Sequence, residues 1–251
     1  MGLYRTDAVV LRTYNLGEAD KILTLFTQDK GKVRAVARGS RRPRNHLISS
    51  SQPFVRGTYM IFQRKNLDSI SQAAIIDPMM YLREDLTKMA YASYMVELVD
   101  QLTEEYDPNE GLFRLLIFAL TELKNDGLET KLLPFFELHV LRQSGVGPEL
   151  DCCVACGKSS TGQNGEPLGF SFREGGILCR PCLSGRTDAV PISPGALKIM
   201  LWLADAEGEK LKILQIPSSA QMEIERVLQG SIDYYLQKPL KSLEFLHIMR
   251  Q

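Results

Sequence analysis

Apolar and polar residues alternate with a period of two in several short segments of the first 77 residues. In "KVRAVAR", residues 32–38, three small apolar residues (Val33, Ala35, Ala37) share one face and the basic residues share the other. This alternation predicts a half-buried strand. Further strands are predicted at 6–15 and 23–27, and "GTYMIFQRKNLDSISQAAII" reads as a hairpin that turns at 64–68. Several short strands without intervening helices predict a compact barrel or sandwich.

The hydrophobic period becomes that of a helix after Asp77-Pro78. Apolar stripes predict helices from residue 80 to about 106, from 110 to 125 and from 129 to 143, the last ending at Gly145. A fourth helix is predicted with Ser193 as N-cap, and a fifth is capped by Ser218 or Ser219. The predicted fold class is therefore α+β and multidomain, a β module followed by an all-α domain with a cysteine-rich insert.

All five cysteines lie between residues 152 and 182. An odd, clustered count without a secretion signal argues against a disulfide framework. "CVAC" and "CRPC" are two C-x2-C pairs whose spacing suits one tetrahedral Zn²⁺. The predicted ligands are Cys153, Cys156, Cys179 and Cys182. Four sulfurs leave no open coordination position, so the zinc is expected to be structural. A redox pair would follow a strand and open a helix, a context that the sequence predicts for neither pair.

Basic residues are concentrated near the N-terminus, although the whole chain has 30 basic and 30 acidic residues. Residues 30–67 contain ten Lys or Arg and no Asp or Glu, so the remaining residues carry a formal charge of −10. This asymmetry predicts a polyanion partner, bound without sequence readout through its phosphates. The predicted contacts are Lys30, Lys32, Arg34, Arg38, Arg41, Arg42, Arg44 and Arg56.

Aromatic residues are interleaved with this basic segment: Tyr4, Tyr14, Phe26, Phe54, Tyr59 and Phe62. On a small barrel, exposed aromatics can serve as stacking platforms for single strands. For each of them taken singly, packing in the core is the stronger expectation.

Catalysis is not indicated, and no catalytic residue is predicted. The chain lacks a G-x-x-x-x-G-K-[ST] phosphate loop and a G-x-G-x-x-G motif after a strand. Its three histidines are far apart in the sequence. Apolar runs such as "LFRLLIFAL" are too short to span a membrane, and the first twenty residues have no apolar signal region. A cytoplasmic location is expected.

Several segments together resemble the bacterial recombination mediator family RecO. They are "YRTDAVVLRTYNLGEADKILTLFTQDKGKVRAVARGSRRPRN", "QPFVRGTYMIF", "LDSISQAAIID", "LREDLTKMAYASYMVELVDQLTEE" and "YYLQKPLKSLEFL". Each motif alone is weak, but their order and spacing are specific and cover nearly the whole chain. The resemblance implies an OB-fold at 1–77, a helical domain at 78–150 and 187–251, and a four-cysteine, zinc-ribbon-like insert at 151–186. The cysteines are not universal in this family, which favours a structural zinc.

The resemblance also implies the function. Similar proteins bind single- and double-stranded DNA, anneal complementary strands, and act with RecR and single-stranded-DNA-binding protein to load RecA. RecA would be an indirect partner of this chain, and the location would be cytoplasmic and nucleoid-associated. The acidic, apolar C-terminal tail of single-stranded-DNA-binding protein would need a hydrophobic groove bordered by Lys or Arg. Candidates are Lys198, Lys210, Lys212, Lys238 and Lys241.

Two alternatives remain open. The first is a zinc-ribbon module that binds RNA or acts in transcription. The second is a nuclease-like enzyme, which would cleave DNA with a divalent metal. The position of the positive charge on the strand module, and not on the nearly neutral cysteine insert, favours the mediator.

Overall fold

Five strands close into a barrel in the N-terminal part of the chain. The computed structural model describes residues 2–160 and 168–250, so residues 161–167 of the predicted insert lie outside the described residues. The barrel strands are β1 (Leu3–Leu16), β2 (Asp20–Thr27), β3 (Gly31–Ala37), β4 (Arg56–Phe62) and β5 (Asp68–Asp77). Their order around the barrel is β1-β2-β3-β5-β4, and β4 pairs back with β1. Only the β3–β5 pair, among these strands, is parallel. This closed arrangement is OB-like.

The barrel interior is filled by the alternate residues of each strand. Leu23 and Leu25 of β2 lie opposite Ala35 and Val33 of β3, and all four are fully buried. Small residues on β3 leave room for the Tyr59 ring, whose hydroxyl donates to the Ser50 carbonyl oxygen at 2.8 Å. The burial of β3 alternates along its whole length, which confirms the predicted pattern.

The described chain divides into two compact units, residues 2–125 with 240–250 and residues 126–160 with 168–239. The first unit contains the barrel and the helices α1 (Tyr81–Glu84), α2 (Leu86–Leu102), α3 (Glu110–Glu122) and α8 (Lys241–Met249). The prediction of one continuous helix from 80 to about 106 is wrong. Asp85 is extended, and its carboxylate accepts the Lys88 backbone N–H at 2.9 Å, so it caps a new helix.

The second unit contains α4 (Glu129–Gln143), α5 (Arg180–Leu183), α6 (Pro194–Asp205) and α7 (Ser218–Leu236). It also holds a three-stranded antiparallel sheet of β6 (Leu168–Ser171), β7 (Gly176–Leu178) and β8 (Ala189–Ile192), in the order β7-β6-β8. The predicted Ser193 cap is confirmed, because its hydroxyl accepts the Ala196 N–H at 3.2 Å. The predicted cap of α7 is wrong: Pro217 occupies that position and offers no side-chain hydrogen bond.

Candidate nucleic-acid interface and metal centre

The outer face of β3 carries the basic residues that the sequence predicted, but these residues differ in their contacts. The Lys32 ammonium donates to the backbone oxygens of Asp100 and Thr103 at 2.5 and 2.7 Å, and it lies 3.3 Å from the Asp100 carboxylate. Its side chain is only 13% exposed. Lys32 therefore satisfies the C-terminal carbonyls of α2 and has few donors left for a ligand.

Arg34 is the next outward residue on β3, and it remains accessible. Its side chain is 48% exposed and lies 3.9 Å from an equally exposed Glu105 carboxylate. An exposed ion pair at this distance contributes little and is screened by salt. Arg34 is thus available to an anion.

Three arginines converge around a groove at the other end of β3. Arg38 and Arg42 follow β3, and Arg64 comes from the loop between β4 and β5. The groove measures about 430 Å³, and Leu16, Val36 and Ser69 also line it. The parallel pairing of β3 with β5 brings these two distant parts of the sequence together. Phosphate groups fit such a groove, because guanidinium groups offer several fixed donors.

Two carboxylates also line the groove, and each is occupied by a backbone N–H. Asp20 accepts from Gly39 at 2.7 Å, and Asp68 accepts from Arg64 at 2.9 Å. The second Asp68 oxygen accepts the hydroxyls of Tyr4 and Tyr106, each at 3.1 Å. Burial, together with the Asp68 carboxylate, raises the pKa of both phenols, that of Tyr106 to about 12. These acids therefore hold the two arginine-bearing loops in place.

The loop that follows β3 is tied to the turn between β1 and β2. Arg41 donates from its backbone to the Ala19 oxygen at 2.9 Å and from its guanidinium to the Gly17 oxygen at 2.9 Å. Burial, and then the positive charge of Arg41, lower the pKa of the Lys21 ammonium.

The remaining predicted contacts lie apart from the groove. Lys30 is in the β2–β3 turn, at the opposite end of β3 from Arg38, about 26 Å along the strand. Arg56 begins β4, and Arg44 is exposed in the loop after β3. Sequence reasoning missed Arg64 as a contact, although its position in a hairpin turn between two barrel strands was a usable signal.

The four predicted zinc ligands form one cluster. The sulfur atoms of Cys153, Cys156, Cys179 and Cys182 all lie within 4.8 Å of one another. The Cys156 and Cys179 sulfurs are 3.7 Å apart, close to the roughly 3.8 Å between sulfurs of a tetrahedron with Zn–S bonds of about 2.3 Å. The set and its spacing fit Zn²⁺. Cys152 is not part of this cluster.

Backbone geometry shapes the cluster. Burial opposes ionisation of the Cys153 thiol, but N–H groups, led by that of Cys179, outweigh it and lower its pKa to about 6. A Cβ on Gly176 would lie 2.5 Å from the Val154 side chain, so the turn that contains Cys153 and Cys156, the first cysteine turn, packs directly on β7. This turn is also bonded to β7, because the Val154 N–H donates to the Ile177 oxygen at 3.0 Å.

An OB-like barrel with an arginine groove and a four-cysteine cluster are features typical of nucleic-acid-binding proteins that carry a zinc module. Among the described residues, no helix is both long and apolar enough to cross a membrane.

Comparison with known proteins narrows this class. The family model "Recombination protein O N terminal" matches residues 1–79, and "Recombination protein O C terminal" matches residues 83–244. The chain is 38% identical to the DNA repair protein RecO of Symbiobacterium thermophilum over 100% of this chain and 99% of that protein. It is 37% identical to the RecO of Bacillus pumilus over 98% and 94%, and 33% identical to that of Bacillus subtilis over 98% and 95%. The chain belongs to the RecO family of DNA repair proteins.

Proposed function

We propose that this protein is a non-catalytic mediator of recombinational DNA repair. It binds DNA, anneals complementary strands, and helps load RecA, together with RecR, onto DNA coated by single-stranded-DNA-binding protein. It acts in the cytoplasm, associated with the nucleoid. Residues 1–77 bind nucleic acid, residues 78–150 with 187–251 form a protein-binding body, and residues 151–186 form the zinc insert.

The groove bordered by Arg38, Arg42 and Arg64 is the observation that carries this proposal. Its three guanidiniums are not engaged with the two carboxylates there, which are bonded to backbone N–H groups instead. Arg34 and Arg41 extend the positive surface on either side. The surface suits a phosphate backbone and has no element that would read base sequence.

Annealing follows from this electrostatic surface. Two complementary strands repel each other through their phosphates, and a basic surface that neutralises them lowers the barrier to encounter. The base edges stay free to pair, because the guanidiniums contact phosphates. Such a process requires no nucleotide hydrolysis.

The proposed zinc has a structural role. Cys153, Cys156, Cys179 and Cys182 would hold one Zn²⁺, and four thiolates complete its coordination. The strands of the β6-β7-β8 sheet are only three or four residues long, so a metal that joins the two neighbouring cysteine turns would stabilise it.

The decisive experiment measures annealing of two oligonucleotides, each coated with single-stranded-DNA-binding protein, in the absence of ATP. We expect the wild-type protein to accelerate pairing and a triple Glu substitution at Arg38, Arg41 and Arg42 to abolish the acceleration. A triple Glu substitution at three exposed basic residues outside both proposed binding surfaces, Arg114, Lys124 and Arg173, changes the net charge equally and is the control. Intact DNA binding without acceleration would favour the RNA-binding or transcription alternative. Metal-dependent cleavage of the strands would favour the nuclease.

The acidic tail of single-stranded-DNA-binding protein has a candidate groove in the first unit. This groove of about 580 Å³ is bordered by Arg83 and Lys241. Its apolar part is formed by Leu11, Phe54, Met89, Val96 and Phe245. The one acid there, Glu97, is occupied by Arg12 and by the N–H and hydroxyl of Ser242. An apolar floor with a basic border matches the chemistry of the tail.

A peptide titration tests this groove. Lys241→Glu should weaken binding of a fluorescent tail peptide, because it places a like charge beside the acidic ligand, and Lys238→Glu should not. Equal affinities of the two variants and the wild type would exclude this location.

A further inference from the structure

We propose that the barrel surface is a single-strand site with two base-stacking platforms, Tyr14 and Phe62, placed on either side of the arginine groove. This inference rests on the proposed DNA-binding function and deepens it, because it selects single strands over duplexes. It also assigns roles to two exposed aromatic residues.

Burial separates the six aromatics of the barrel region into distinct groups. Phe26, Phe54 and Tyr59 are at most 4% exposed and belong to the core. Tyr4 is partly buried, and its hydroxyl is bonded to Asp68. Tyr14 and Phe62 are 49% and 45% exposed. Only these two, of the six, present a ring to solvent.

Strand register places both rings on one row of outward positions that crosses the barrel. Tyr14 of β1 lies opposite Ile22 of β2, which lies opposite Val36 of β3. The row continues from Val36 to Ser69 of β5 and then to Phe62 of β4. Directly opposed residues point to the same side of a sheet, so the five side chains share the outer surface.

The arginine groove lies in the middle of this row. Val36 and Ser69 are the two row positions that line the groove, with Arg38, Arg42 and Arg64 around them. Four steps between strands separate Tyr14 from Phe62, about 19 Å along the surface. A single strand that runs across the β-strands would therefore place phosphates in the groove and bases on the rings at its two ends.

The geometry favours an unpaired strand. A base can lie flat on an exposed ring only when its face is free, and duplex DNA buries its base faces within the stack. The other end of the outer face is already covered: Phe26 contacts the Phe113 ring of α3, with 6.2 Å between the ring centroids, and Lys32 is bonded to the end of α2. These contacts block the other end of the outer face, so a bound strand would have to follow the Tyr14–Phe62 row.

The test compares the affinities of the full-length protein for dT20, for a 20-base-pair duplex and for a fully abasic 20-mer at fixed salt. Tyr14→Ala and Phe62→Ala should each weaken dT20 binding about 5- to 150-fold, the effect of losing one stacked base. Duplex and abasic affinities should change less than about twofold. Tyr14→Phe and Phe62→Tyr should keep dT20 affinity. Tyr234→Ala, which removes an equally exposed ring (46%) from α7, is the control.

The outcomes separate this inference from the proposed function. If both alanine variants bind dT20 like the wild type, while Arg38→Glu with Arg42→Glu loses all DNA, stacking is wrong and phosphate binding stands. Stacking is equally excluded if the alanine variants weaken dT20 and duplex binding by the same factor. If the wild type binds none of the three ligands, the proposed function fails and this inference fails with it. Unfolding midpoints exclude loss of fold as the cause.

Discussion

Lys32→Ala should destabilise the first unit without affecting phosphate binding, although Lys32 belongs to the basic segment of the sequence. The substitution removes two charge-assisted hydrogen bonds, to the backbone oxygens of Asp100 and Thr103 at 2.5 and 2.7 Å. Each such bond contributes about 1.5–3 kcal/mol. The Asp100 carboxylate would keep Arg12 as a partner at 2.9 Å, so it would not be left unpaired. Two such bonds would sum to about 3–6 kcal/mol. Because they share one ammonium group their contributions are not additive, and we therefore expect a loss of about 2–4 kcal/mol in the free energy of unfolding.

The assay is urea unfolding followed by circular dichroism, with Arg34→Ala as the matched variant. Arg34 lies two residues further along the same face, and its ion pair at 3.9 Å is exposed, so its loss should cost about 0–1 kcal/mol. The loss at Lys32 corresponds to a decrease of roughly 5–15 °C in the unfolding midpoint.

A salt titration of DNA affinity completes the test, because each phosphate contact contributes about 0.7 to the slope of log affinity against log salt for a single strand. Arg38→Ala should lower the slope by about that amount, and Lys32→Ala should leave it unchanged. Our reasoning would be refuted if Lys32→Ala were as stable as Arg34→Ala, or if it lowered the slope as much as Arg38→Ala.

Three further predictions concern the metal, pH and a tight backbone contact. Cys156→Ser should lower the zinc content, measured by metal analysis, and the unfolding midpoint of the second unit; an unchanged zinc content would exclude the cluster as the site. Burial lowers the pKa of His139 below its usual 6.5, so its contribution to stability is present above pH 6.5 and is lost as the pH falls below it. In urea titrations, the free energy of unfolding of His139→Gln should therefore fall less below pH 6.5 than that of the wild type. The same pH dependence in both proteins would contradict this. Gly31→Ala should cost more than about 2 kcal/mol, because φ is +64° and the new Cβ would meet the Asp107 oxygen at 2.0 Å. Gly17→Ala, with φ +59° and open space around the new Cβ, measures the backbone strain alone. Equal losses of stability in the two variants would show that the Asp107 contact adds nothing.

Local pattern predicted the features that depend on neighbouring residues. The alternation in β3 and the spacing of the two cysteine pairs each express a local geometry, and the OB-like barrel and the four-cysteine cluster agree with them. The break at Asp85 could not be read in this way. The residues on both of its sides keep a helical hydrophobic pattern, and only the extended backbone of Asp85 separates them.

Whether a basic side chain faces the groove or stabilises the fold depends on contacts distant in sequence. Lys32 is occupied by the end of α2, about 70 residues further along the chain. Arg64 reaches the groove only because β3 and β5 pair in parallel. Counting basic residues therefore located the positive surface, but it could not separate the arginines that face the groove from a lysine that stabilises the fold.

The carboxylates of Asp20 and Asp68 limit how positive the potential of the groove can be. Replacing them with neutral residues would increase its positive potential, but it would also release the backbone N–H groups that fix the loops of Arg42 and Arg64. The same two carboxylates therefore fix the arginine-bearing loops and reduce the positive potential of the groove. If the groove binds DNA as proposed, it would hold a strand in a defined place without maximal strength, so that the strand could exchange for a complementary partner.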